Sequence, residues 1–255
     1  MRRLRIGTEY LRFVAGHQDR IDALAFAVLV KQDRINSLIT NATYRKLKAI
    51  FSIGQAKLKK VLNDGVKFGF LRWEGKNLIA NKLHEEGKLY YLLKSLWFAE
   101  AQNKGKLTLS GVRSMIEEAI IANHVSMQND CADTHNRATF GKNLTIVRNA
   151  KKRESRMLTK DFCDNYKGLS YQRIQQLIAR KKGKVTKIVK RAIAHGQITR
   201  RIRMIGANLA GDPCNAITKS VLEDTNIIVS PRLRHAYIRL SNEYTFRGRN
   251  IMYCR

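Results

Sequence analysis

The sequence predicts a mainly α-helical chain with small β hairpins, an α+β chain made of two helix-turn-helix units, each followed by a hairpin, joined by a helical connector. Three observations lead there. First, the apolar pattern of residues 43–73 returns without a gap 127 residues later, where Tyr44 meets Tyr171, Leu47 meets Ile174, Ile50 meets Leu177 and Phe51 meets Ile178. The correspondence continues through Leu58 and Val185, Val61-Leu62 and Ile188-Val189, Gly69 and Gly196, and Leu71 and Ile198. Second, Tyr44, Leu47, Ile50 and Phe51 follow one helix face, Ser52-Ile53-Gly54 interrupts it, and Leu58, Val61 and Leu62 begin another. Two short helices joined by a tight turn bury each other's stripes only when they cross. Third, Gly69 stops the second helix, and two extended runs, residues 69–73 and 78–82, flank the turn Glu74-Gly75-Lys76-Asn77.

A helix-turn-helix followed by a hairpin resembles the winged-helix DNA-binding superfamily, here twice over. A chain with two such units is similar to the replication initiators of some plasmids and phages, and the resemblance covers about half of the sequence. It implies two winged helix-turn-helix domains, double-stranded DNA as the partner, and no enzymatic activity or cofactor.

Charge points the same way independently. Among 255 residues, 49 Lys and Arg stand against 20 Asp and Glu, a formal net charge of +29. Such an excess repels itself and calls for a polyanion. Its basic residues are interleaved with apolar periodicity instead of forming a tail, which favours nucleic acid. The apolar run of residues 23–30 is closed by Lys31, far short of a membrane span, so no membrane partner is expected. The basic N-terminus lacks the apolar stretch of a signal peptide. Cys131, Cys163, Cys214 and Cys254 are widely spaced and read as free thiols of a reducing compartment, the cytoplasm of a bacterium or of a phage-infected host.

Taken in order, residues 1–84 read as the first domain. Residues 19–31 form its central support helix, apolar almost all round. Residues 40–43 supply N-cap types, and the candidate recognition helix starts at Gly54-Gln55-Ala56 and runs to about Val66. With Leu58, Val61 and Leu62 inward, Gln55, Lys57, Lys59, Lys60, Asn63 and Lys67 face solvent, where Gln suits adenine and Lys suits guanine or phosphate. Arg72 and Lys76 extend this basic surface onto the hairpin.

Residues 85–127 read as a helical connector. Residues 88–102 have the spacing of an amphipathic helix, and residues 110–127 that of a second, with Ser110 as cap and Glu117-Glu118 on its polar face. These helices either bridge the domains or pair with another copy of the chain, so self-association is assigned to residues 88–127. In residues 128–160 periodicity fades, and Lys151, Lys152 and Arg153 mark a basic linker that tracks phosphates.

Residues 161–255 read as the second domain with a C-terminal extension. Arg180, Lys181, Lys182 and Lys184 surround its turn; Thr186, Lys187, Lys190 and Arg191 follow on the outer side. Its hairpin begins at Ile198, with Arg201 and Arg203 placed for a minor groove or the flanking backbone. The first unit therefore looks suited to base reading and the second to electrostatic grip. Beyond it, residues 216–222 suggest a helix, residues 227–229 a strand and residues 244–254 a closing strand.

Catalytic and metal patterns are not met. His124, Cys131 and His135 are spaced by seven and four residues, which fits no zinc motif. No Walker-type loop occurs. Glu117, Glu118, Asp130 and Asp133 read as solvated surface rather than a nuclease site. Arg232, His235 and Tyr253 share residue types with tyrosine recombinases, but the rest of that active site has no counterpart. The expectation is a sequence-recognising double-stranded DNA-binding protein, a replication initiator of a plasmid or phage. A transcriptional regulator with tandem winged helices and a non-specific packaging protein are the alternatives.

Overall fold

The computed structural model describes residues 3–33, 37–100, 102–103, 106–140, 169–201, 204–208, 227–230, 235–239, 243–246 and 251–253. The linker cations Lys151, Lys152 and Arg153, the wing residue Arg203 and the helix expected at residues 216–222 lie outside them. The chain is mainly helical with small antiparallel sheets. It divides into two compact units, one of residues 1–125, 171–198 and 247–255, the other of residues 126–170 and 199–246. Both helix pairs thus contribute to one unit, where the repeat had suggested a domain for each.

In the first unit, β1 (Leu4–Gly7) and α1 (Thr8–Val14) precede α2 (Gln18–Asp33). Every residue from Ile21 to Val30 is buried, Asp22 included, as expected of a support helix apolar all round. β2 (Leu38–Ile39), α3 (Tyr44–Phe51) and α4 (Gln55–Lys67) follow. The Thr43 side chain accepts a hydrogen bond from the Lys46 amide and caps α3. Leu47 and Phe51 of α3 and Leu58, Val61 and Leu62 of α4 are buried, and the Phe26 ring of α2 meets Phe51 edge-on at 5.2 Å. Tyr44, expected on the inner face, is instead exposed and lines a hollow with the polar Gln55 at the start of α4.

The hairpin lies within a residue or two of its expected place. β3 (Leu71–Glu74) and β4 (Asn77–Ala80) pair antiparallel around Gly75, whose positive φ of 58° suits the tight turn, and β2 completes a sheet of order β2-β4-β3.

Residues 88–102 correct the reading of one long helix. β5 (Leu89–Leu93) is a strand between β1 and β13 (Ile251–Tyr253), and only α5 (Ser95–Glu100) is helical before the short pair β6 (Gln102–Asn103) and β7 (Lys106–Leu107). The leucines at helical spacing are also consistent with a strand, and pairing on both edges decides in its favour. α6 (Leu109–Phe140) starts one residue after Thr108, whose hydroxyl accepts from the Gly111 amide, so Thr108 rather than Ser110 is the cap. It also continues through residues 128–140, where a linker was expected. Tyr91, Trp97, Phe98, Val112, Ile116, Ile120 and Val125 are buried within the chain itself, whereas Leu89 and Met127 of the segment assigned to self-association are exposed.

The second helix pair is α7 (Tyr171–Ile178) and α8 (Lys182–Ala194). Its bounds are those of α3 and α4 shifted by 127, and Ile174, Ile178, Val185, Ile188 and Val189 are buried like their counterparts, while Leu177 is buried where Ile50 is only partly so. Helix ends repeat as well. The amides of Phe68, Gly69 and Phe70 donate to Asp64, Val66 and Gly65, and those of His195, Gly196 and Gln197 donate to Arg191, Ile193 and Ala192. Gly69 and Gly196 have φ of 73° and 66°, a conformation that glycine adopts without strain.

The likeness stops at the hairpin. After the second helix pair, β8 (Ile198–Arg201) pairs with β12 (Glu243–Phe246), whereas β9 (Met204–Asn208) joins β11 (His235–Arg239) and β10 (Ile227–Ser230) in a sheet of order β10-β11-β9. Among the described residues β8 thus has β12 and not β9 as its partner, and the described part of residues 244–254, expected as one closing strand, falls in β12 and β13, which belong to different sheets.

Candidate nucleic-acid interface

α4 and α8 bury one face and leave the other to solvent, and the frame of 127 residues pairs their outer positions one by one. Gln55 corresponds to Lys182, Lys59 to Thr186, Lys60 to Lys187 and Asn63 to Lys190; all eight side chains are exposed. The first helix therefore offers two amides that can both donate and accept, suited to base edges, and the second offers ammonium groups suited to phosphate. Lys67 closes the row on α4, and Lys181 and Lys184 add exposed charge around the start of α8. Neither Gly54 nor Lys181 caps its helix with a side chain, which leaves amide groups at the helix start.

Three expected contacts on or beside the two helices are occupied within the chain. Lys57 is half-buried and its ammonium bonds the Asp22 carboxylate. Arg180 donates from Nε to Glu117 Oε1 at 2.6 Å, and Arg191 Nε lies 3.0 Å from Glu118 Oε1. In each case the partner is an acid on a support helix, α2 or α6, and is itself buried. On the hairpin, Arg72 donates to Glu74 Oε1 at 2.8 Å and to Asn81 Oδ1 at 2.6 Å, while Lys76 is exposed at the turn. Arg201 ends β8.

Sequence reasoning missed the outer face of α3. Tyr44, Arg45 and Lys48, with Gln55 of α4, line a hollow of about 360 Å³ at the elbow between the two helices. The signal was the basic run Arg45-Lys46-x-Lys48 directly after an aromatic residue.

Glu117 and Glu118, expected on a solvated face, are fully buried and take up cations from three elements. Glu117 Oε1 also accepts from Arg113 Nε at 2.7 Å, and Arg113 reaches Asp22 at 2.5 Å. Burial pushes the Glu117 carboxyl upward, against the pull of Arg113 and Arg180. Glu118 Oε2 faces His195 Nδ1 at 2.6 Å and accepts from Gln197 Nε2 at 3.2 Å; His195 Nε2 faces Glu100 Oε2 at 2.6 Å, and its ring stacks on Trp97. The hydrogen bond to Glu118 raises the His195 imidazole above its ordinary value despite burial, and Glu100 adds to the rise. Among the described residues no group of His, Cys, Asp and Glu could hold a metal ion, and no helix is long and apolar enough to cross a membrane.

No family model, curated protein or solved structure matches the chain.

Proposed function

We propose that the chain is a non-enzymatic, double-stranded DNA-binding protein of the cytoplasm that reads sequence through two helix-turn-helix pairs, the first of them followed by a hairpin wing, and that its role is that of a replication initiator of a plasmid or phage. One observation carries the DNA reading: α4 and α8, in the same frame and each packed by its inner face, present exposed polar and basic side chains at matching positions. A helix so divided suits a major groove, with its N-terminal residues nearest the base edges. The order α2, β2, α3, α4, β3, β4 supports a winged-helix assignment for the first helix pair. The net charge of +29 supports a polyanionic partner. The initiator role rests on the presence of two such helix pairs in one chain.

Fluorescence titration of a labelled duplex against salt tests the DNA reading. Eight exposed lysines flank or occupy the two helices: Lys59, Lys60, Lys67, Lys181, Lys182, Lys184, Lys187 and Lys190. If they neutralise about 8 phosphates, log affinity falls with log salt at a slope of roughly −7. A flat response removes the proposal. For the role, footprints on iterated short repeats beside an AT-rich tract are the expected result, and a footprint on a promoter palindrome is the result that replaces initiator by regulator.

A further inference from the structure

We infer that a chain of five charges with a buried centre fixes the separation of the two reading helices, so that the DNA partner carries two contact sequences at one set spacing, with Arg113 the positioning residue; this rests on the DNA reading above. Its five members alternate in sign: Lys57 of α4, Asp22 of α2, Arg113 and Glu117 of α6, and Arg180 of the turn before α8. It begins in the first turn of α4 and ends two residues before α8 starts. Each reading helix is therefore held near its N-terminal end, where helix-turn-helix units meet base edges.

The bonds in this chain are directional. Arg113 uses Nε for Glu117 at 2.7 Å and a terminal amine for Asp22 at 2.5 Å, so its planar guanidinium clamps α6 onto α2. Asp22, Arg113 and Glu117 are each at most 5% exposed. Apolar surfaces tolerate sliding by a fraction of a helical turn, whereas a buried guanidinium displaced from its carboxylates leaves unpaired charge, which holds the register. A second tie is independent of charge. The Gly16 amide, in the turn between α1 and α2, donates to the Leu177 carbonyl of α7 at 2.7 Å. Backbone and side chains thus both join the element that supports the first reading helix to the elements around the second.

Two measurements test the inference separately from DNA binding itself. In the first, the full chain selects duplexes from a pool with a random 30-base-pair segment, and base pairs are inserted between the two protected stretches of the recovered duplex. Insertion of 5 base pairs turns one stretch by about half a helical turn, and the wild type is expected to lose roughly 100-fold in affinity as one of its two tethered contacts is lost. Arg113→Gln, or Glu117→Gln should that variant fail to fold, is expected to lose less than about 3-fold on the same insertion. Equal wild-type affinity at every spacing, or a folded variant as intolerant as the wild type, overturns the inference.

The second measurement needs no DNA. Spin labels are placed at Lys60→Cys and Lys187→Cys, with the four native cysteines replaced by serine. A single narrow distance in the otherwise unaltered chain, broadened by Arg113→Gln, supports the clamp; a broad distribution without that change overturns it. A narrow distance in a protein with no salt-dependent affinity for any duplex leaves the clamp standing and removes the DNA reading instead.

Discussion

Ser52 and Ala179, 127 residues apart, both hold a left-handed backbone, with φ of 52° and 48°. Each directly follows the first helix of its pair. Neither is glycine, so the turn keeps a conformation that costs an L-residue about 1–2 kcal/mol at both copies. The crossing of two short helices over a shared core requires that turn, and the cost is offset by burial of Phe51 and Leu58 in one copy and Ile178 and Val185 in the other.

Ala179→Gly is therefore expected to stabilise the protein. Relief of the left-handed strain exceeds the added flexibility of the unfolded chain, for a net gain of about 0.5–1 kcal/mol. A urea denaturation midpoint that rises by the corresponding amount is the check, and a midpoint that falls shows that the turn is not strained.

Lys57 and Lys184 occupy one position of the repeat but opposite environments. Lys57 bonds buried Asp22, while Lys184 is exposed. Lys57→Ala is expected to cost about 1 kcal/mol of stability, since a charge-assisted bond is lost at a site partly open to solvent. Lys184→Ala is expected to change stability by less than about 0.5 kcal/mol and to weaken every duplex alike, with the salt slope reduced by about 1. Denaturation and titration on both variants separate the two roles, and the same pattern in both variants refutes the assignment.

Arg45 and Lys48 belong to the interface if the hollow they line with Tyr44 and Gln55 faces phosphate. Arg45→Ala with Lys48→Ala is then expected to lower the salt slope by roughly 2 without altering which sequence is preferred. A slope equal to that of the wild type places the hollow off the DNA.

Much of this was legible in the sequence wherever contacts are local. The stripes Leu47 and Phe51, and Leu58, Val61 and Leu62, report helices that pack on near neighbours, and Glu74-Gly75-Lys76-Asn77 reports its own turn. What the sequence hid depends on distant partners. Leu89 to Leu93 is spaced like a helix face but lies between β1 and β13, and the second of these strands comes more than 150 residues later. The Glu117-Glu118 pair looks solvated until Arg180, Arg191 and His195 arrive from the second repeat. Likewise, nothing near Lys57 announces Asp22, 35 residues upstream. The alternating runs after Ile198 resemble a hairpin, yet β8 and β9 pair with strands that the local pattern does not reveal.

Both ring nitrogens of His195 face carboxylates, Glu118 through Nδ1 and Glu100 through Nε2, each at 2.6 Å. Only the doubly protonated imidazolium donates to both; a neutral ring turns one lone pair toward an anion. The folded-state value is raised, first by the bond to Glu118 and further by Glu100, with burial opposing. A raised folded value means that the folded protein holds the proton more tightly than the unfolded chain, so stability falls as pH rises. The contribution is complete below about 6.5, the ordinary histidine value, and disappears as pH climbs through the raised value. Urea midpoints of the wild type and His195→Gln between about pH 6 and pH 9 are expected to differ most at the acid end and to converge toward the alkaline end. A difference that widens with pH would show that the folded protein disfavours the imidazolium, and a constant one that the ring contributes only by packing, as against Trp97.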